Sequence, residues 1–127
     1  KYADEIIERF DVRPTDHTVK SRALSGGNQQ KVIIAREISG DPDLLIAAQP
    51  TRGLDVGAIE YIRNFLIKQR DKGKAVLLIS FELDEIMALS DRISVIYNGK
   101  ILRTFDAKET NERELGLYMA GGKNEEK

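Results

Sequence analysis

The chain has 127 residues, with twenty basic against twenty-one acidic side chains and a formal charge of −1, so no bulk positive field marks a nucleic-acid surface. It has no cysteine, which excludes a disulfide framework and a thiolate metal centre and is compatible with a cytoplasmic protein. A hydrophobic fraction of 41% suits one soluble domain with a modest core, while no apolar run approaches the roughly 20 residues that cross a bilayer and no signal peptide is legible.

From Tyr2 to Phe10 the apolar residues Ala3, Ile6, Ile7 and Phe10 recur at helical spacing, which predicts a helix with one buried face. The chain opens at Lys1 already inside this pattern, as a fragment of a longer protein would. Asp11 to Ala23 is polar, contains Pro14 and reads as a loop. A helix follows over Val32 to Ile38 and stops at Ser39-Gly40-Asp41-Pro42. Leu44 to Ala48 is a short apolar run between turn signals, the pattern of a strand covered on both faces. After a loop from Pro50 to Gly57, Ile59, Ile62, Phe65 and Leu66 place a helix over Ala58 to Arg70, ended by Asp71-Lys72-Gly73.

Ala75 to Ile79 reads as a second fully apolar strand, followed by a short helix through Leu83, Ile86, Met87 and Leu89. Strands alternating with helices imply parallel pairing through crossovers. The pattern then changes. Ile93 to Tyr97, Asn98-Gly99 and Lys100 to Phe105 read as a hairpin, because Asn-Gly suits the primed turn of a two-residue loop. Asn111, with Glu114 three positions on, suits the cap of a last helix to Met119, and Gly121 to Lys127 is a charged tail expected to fray.

The segment Leu24-Ser25-Gly26-Gly27-Asn28-Gln29-Gln30-Lys31 carries the chemistry. Bare backbone N–H groups, a hydroxyl and the positive end of a helix dipole together suit an anion such as phosphate. The same residues also read as a plain helix entry with Ser25 as N-cap, and Asp55 reads as an N-cap for a helix beginning near Gly57. Other signals are set aside. Gly116 and Gly121 have the spacing of a phosphate loop, but Gly122 stands where its lysine belongs. His17 reads as a surface histidine without a partner, and Glu82, Asp84 and Glu85 as a helix start favoured by the dipole rather than a metal site. Tyr97 and Phe105 are expected to pack the hairpin.

Several elements stand in a fixed order: the Leu-Ser-Gly-Gly turn, a strand ending in Ala48-Gln49-Pro50-Thr51, the loop Arg52-Gly53-Leu54-Asp55, a strand ending in Ser80-Phe81-Glu82, and the hairpin. Over nearly the whole chain this order resembles the second half of an ATP-binding-cassette (ABC) nucleotide-binding domain. Asn28 to Lys31 and Pro50-Thr51-Arg52-Gly53-Leu54-Asp55-Val56-Gly57-Ala58 are similar to the tandem ATPase subunits of bacterial sugar and nucleoside importers. The resemblance implies an α/β, partial P-loop NTPase fold with parallel strands, a signature helix and a C-terminal antiparallel hairpin. Residues 1–40 would close the helical subdomain, and 41–127 would be the remainder of the ATPase core.

It also implies a division of labour. In such proteins ATP lies between two cassettes, so Ser25, Gly26, Gly27 and Gln29 would face ATP and Mg²⁺ held by the first cassette of the same polypeptide. Asp55 would couple the two sites. At the chain's own strand ends Ala48, Gln49 and Phe81 replace an aspartate, a glutamate and a histidine, so no catalytic residue and no metal ligand is expected here. An amide cannot act as a base near neutral pH, and losing a general base costs about 10²–10⁴ in rate. Membrane permease subunits are the implied partners, with a solute-binding protein indirectly, at the cytoplasmic face of the membrane. Nucleic acid is not implied. The isolated chain is expected to be inactive, to bind no ATP tightly and to self-associate through an exposed sheet edge. A non-transport ABC protein and a catalytically inactive interaction module are the alternatives.

Overall fold

The computed structural model describes residues 1–122, so most of the charged tail expected at Gly121 to Lys127 lies outside the described residues. The chain divides into two compact units, Lys1–Ile79 and the part from Ser80 onward.

The first unit contains α1 (Tyr2–Arg9), α2 (Gly26–Ile38), β1 (Leu44–Ala48), α3 (Val56–Asp71) and β2 (Ala75–Ile79). Its buried apolar residues are Phe10, Val12, Ala35, Ile62, Phe65 and Leu66, with the Phe10 and Phe65 rings 6.4 Å apart. The buried face expected of α1 is incomplete. No residue of α1 itself is fully buried, and Phe10 packs inward as the residue that ends the helix. The tyrosine hydroxyl of Tyr2 donates to Ser39 Oγ at 2.8 Å, which joins the start of α1 to the end of α2.

β1 and β2 pair in parallel from Leu44↔Ala75 to Ala48↔Ile79, as the alternation of strands and helices requires. The expectation that both strands are covered on both faces does not hold. Burial alternates along each, and Leu44, Ile46, Leu77 and Ile79 stand about half exposed. Within this chain α3 packs against β2, and alternate side chains of a strand point to opposite faces. The uniform apolar run marks a sheet meant for cover on two sides, and this chain supplies one of them.

The second unit contains α4 (Leu83–Leu89), β3 (Arg92–Tyr97), β4 (Lys100–Asp106) and α5 (Glu112–Met119). β3 and β4 are antiparallel, with a register shift at Val95/Ile96. Asn98 and Gly99 have φ of 47° and 75°, the left-handed pair that a type I′ loop needs. Ile93, Val95, Phe105 and Leu115 form the core of this unit, with Leu83, Ile86, Met87 and Tyr118 packed around them. Phe105 meets Tyr118 edge to face at 5.2 Å, whereas Tyr97 stays 37% exposed, so Phe105 does most of the packing expected of the pair. Asn111 Oδ1 accepts the backbone N–H of Glu114 at 3.0 Å, but the Glu114 carboxylate turns to the Thr110 hydroxyl. Glu85, near the start of α4, is fully buried.

Candidate functional site

The helix α2 starts at Gly26, ahead of the Val32 start expected from apolar spacing, so the two glycines form its first turn instead of a bend before it. Ser25 decides this. It has extended backbone angles, its carbonyl accepts the N–H of Gln29 at 2.9 Å, and its hydroxyl oxygen accepts from Asn28. A good cap outweighs the poor helix propensity of two glycines. The first N–H groups of a helix have no partner within it. Ser25 and Gly26 are exposed, and Gly27 is buried.

Gly27 is buried because α3 approaches it closely. A Cβ on Gly27 would lie 2.8 Å from that of Ala58, in the first turn of α3. A Cβ on Gly26 would lie 3.3 Å from the tip of Leu54. The start of α3 is itself capped by Asp55, whose Oδ1 accepts the Ala58 N–H at 3.0 Å. Two capped helix starts therefore lie side by side, and Asp55 stands next to the Ser-Gly-Gly turn. Arg52, in the loop before it, is exposed.

Of the four polar residues that follow the glycines, Asn28 and Lys31 anchor the turn to the loop after α1, Gln30 anchors it just past the end of β1, and Gln29 bonds within the turn. Asn28 accepts the backbone N–H of Arg13 at 2.8 Å and donates from Nδ2 to Ser25 Oγ at 2.9 Å. Gln29, exposed, donates from Nε2 to the Leu24 carbonyl at 2.9 Å, leaving one further amide hydrogen. Gln30 donates to the Pro50 carbonyl at 3.1 Å. Lys31 donates to the Asp11 carbonyl at 2.8 Å and lies 4.7 Å from the Tyr61 ring centre. Sequence spacing singled out only Gln29 among these. The available signal was an unbroken polar run on a helix that has to pack.

Electrostatics reinforce the anchoring. Arg13 Nε, hydrogen-bonded at 2.8 Å, and then the nearby Lys31 ammonium hold the Asp11 carboxyl below the usual carboxylate range. Burial, and secondarily the Asp11 charge, push the Tyr61 hydroxyl above its ordinary value.

At the end of β1, Ala48 is exposed and Gln49 half-buried. Gln49 donates its N–H to the Ile79 carbonyl at 2.8 Å and then leaves the sheet with φ of 50°, a left-handed conformation uncommon for glutamine. The Ala48 methyl offers a divalent cation no ligand, and Gln49 offers one amide oxygen without the negative charge of a carboxylate. Phe81 belongs to the second unit and is 72% exposed. The structure thus brings Ser25, Gly26, Gly27, Gln29 and Asp55 to one place in the first unit. His17, expected to be without a partner, has its Nδ1 2.7 Å from Asp4 Oδ1.

Comparison with known proteins agrees with this architecture. No family model matches the chain. It is 63% identical to the guanosine import ATP-binding protein NupO of Bacillus subtilis over 99% of this chain and 25% of that protein. It is 60% identical to the nucleoside import ATP-binding protein NupA of Lactococcus lactis, over 95% of this chain and 24% of that protein. A solved ATP-binding cassette, dimeric in a post-hydrolysis state with ADP and Pi, superposes with a TM-score of 0.71 at 29% identity, covering 81% of this chain and 44% of that one. The chain belongs to the ABC ATPase family. It spans about a quarter of the length of the curated relatives it matches, and corresponds to a C-terminal part of a tandem-cassette protein. Among the described residues no helix is long and apolar enough to cross a membrane.

Proposed function

We propose that this chain is part of the ATPase subunit of an importer of nucleosides, and that its Ser25-Gly26-Gly27 turn closes on the terminal phosphate of ATP held by the first cassette of the same polypeptide. The observation that carries the reading is the exposure of Ser25 and Gly26 at the capped start of α2, a helix of 13 residues. A hydroxyl, free N–H groups and the positive helix end converge there on open space, which suits an oxyanion. Gly27 serves chiefly to bring α3 and Asp55 alongside. Gln29 adds an amide hydrogen at the rim. Nucleosides are favoured as cargo because proteins so named are 60–63% identical to this chain; sugars are the second class.

The chain's own ATP site is proposed to be hydrolytically poor. Ala48 offers no acceptor to a metal-bound water, Gln49 cannot accept a proton, and Phe81 has no polar atom to offer a phosphate. Residues 1–40 then end the helical subdomain and 41–127 continue the ATPase core. Permease subunits at the cytoplasmic face of the membrane receive the closing motion, with a solute-binding protein acting through them.

The test uses the full-length protein. Replacing Ser25→Arg fills the phosphate-facing space and should abolish ATP hydrolysis; an unchanged rate would leave the chain an interaction module. In a background whose first site cannot hydrolyse ATP, adding Ala48→Asp and Gln49→Glu should raise the residual rate. Full hydrolysis at the unmodified second site would refute its degeneracy.

A further inference from the structure

We infer that Asn28 is a positioning residue that turns the Ser25 hydroxyl into an outward-facing proton donor, an inference that rests on the phosphate-facing reading of this turn. A serine hydroxyl has one hydrogen to donate and two lone pairs. Here Oγ of Ser25 receives the Asn28 Nδ2–H at 2.9 Å and faces the Asn28 backbone N–H at 3.4 Å. Both neighbours are donors. They occupy the two lone pairs, so the Ser25 hydrogen points to an acceptor outside the turn.

The orientation of the Asn28 amide is itself fixed. Its Oδ1 accepts from the backbone N–H of Arg13 at 2.8 Å, and a backbone N–H can only donate. Flipping the amide would set two donors against each other. The loop after α1 therefore determines which end of Asn28 faces Ser25, and Asn28 determines which way the hydroxyl points. An exposed hydroxyl with its hydrogen committed outward suits a ligand that only accepts, such as a fully ionised phosphate oxygen. With its lone pairs outward it would repel that oxygen.

Asn28→Asp tests this with little change of shape. Aspartate still accepts from Arg13, but its second oxygen takes the Ser25 hydrogen for itself. In the full-length protein, kcat/KM for ATP should fall roughly 10- to 100-fold, the worth of one hydrogen bond to a charged group, and about as far as in Ser25→Ala. The double variant should be no worse than Ser25→Ala alone. ADP, which lacks the terminal phosphate, should bind all three variants as it binds the unmodified protein.

Near-normal ATP turnover in Asn28→Asp would overturn the inference, and so would an equal further loss when Asn28→Asp is added to Ser25→Ala, which would mark simple charge repulsion. Loss of ADP binding would indicate a structural role and overturn it too. Asn28→Ala supplies an uncharged check. It should lower kcat/KM in the Ser25 background and leave it unchanged in the Ser25→Ala background. If Ser25→Arg leaves hydrolysis intact, the phosphate-facing reading itself fails. If Ser25→Arg abolishes hydrolysis while Asn28→Asp does nothing, only the positioning role fails.

Discussion

Replacing Gly27 by alanine places a methyl carbon 2.8 Å from the Cβ of Ala58. Carbon atoms pack at about 3.5–4.0 Å, so the first turns of α2 and α3 must separate by roughly 1 Å. Overpacking of this kind costs about 1–3 kcal/mol. Alanine regains up to about 1 kcal/mol of helix propensity, and less in a first turn. The net is a loss of about 1–2 kcal/mol, a factor of roughly 5–30 in the local opening equilibrium. Amide exchange in the full-length protein, read on peptides covering residues 24–38 and 54–62, should speed up by that factor. Gly26→Ala is the internal control. Its Cβ would meet only the flexible tip of Leu54 at 3.3 Å, so exchange there should stay close to that of the unmodified protein. If Gly27→Ala exchanged as slowly as the parent, the approach of the two helix starts would not be tight, and the placement of Asp55 beside the turn would lose its basis.

Asp55→Ala should cost α3 about 1 kcal/mol by loss of its cap, read by exchange at Ala58 and Ile59; Asp55→Asn should keep the cap. If Asp55→Asn also keeps full ATP hydrolysis in the intact protein, the charge of Asp55 plays no part in coupling the sites. The Asp11 carboxyl, held down by Arg13 and then Lys31, should titrate below its ordinary 3.8 when followed by carboxyl NMR. Because the folded value is depressed, its contribution to stability is complete above the ordinary value and is lost as pH falls through the lowered one; a midpoint at or above 3.8 would mean that these contacts do not form. The isolated 127-residue chain should self-associate through its exposed sheet edge, and where the open face carrying Ile46 and Leu77 adds to that contact, Ile46→Lys with Leu77→Lys should shift it toward the monomer volume in size-exclusion chromatography. A monomeric unmodified chain would contradict that expectation.

Punctuation in the sequence carried the fold further than periodicity did. Asn98-Gly99 located the hairpin because few residue pairs accept two left-handed conformations in succession, and both are adopted. Asn111 located the start of α5 because its side chain competes for a helical N–H. The same logic applied at Ser25, yet apolar spacing pulled the expected start of α2 to Val32. Glycine and asparagine are poor helix formers, and nothing local reveals that Ala58 will lie against Gly27. The anchors made by Asn28, Gln30 and Lys31 were equally hidden. Each reaches a backbone carbonyl or N–H fifteen to twenty residues away, and such partners follow from tertiary packing, which spacing does not encode. His17 was misjudged for the same reason, since Asp4 meets it only once α1 and its following loop have folded.

The strands point to a different limit. Leu44 to Ala48 and Ala75 to Ile79 are apolar throughout, yet one side of each stands open in this chain. Hydrophobic pattern reports the environment a segment was selected for, whereas exposure reports the atoms actually present. The two disagree along a whole face here, and the relatives extend to about four times the length, so the open face is the place where we propose that further chain packs. The turn at Ser25 shows the converse. Ser25, Gly26 and Gln29 are exposed where a helix would accept better formers, and neither core packing nor helix propensity accounts for Gly26 there. A residue that local stability does not require, on open surface beside a capped helix start, is best explained by something that binds there.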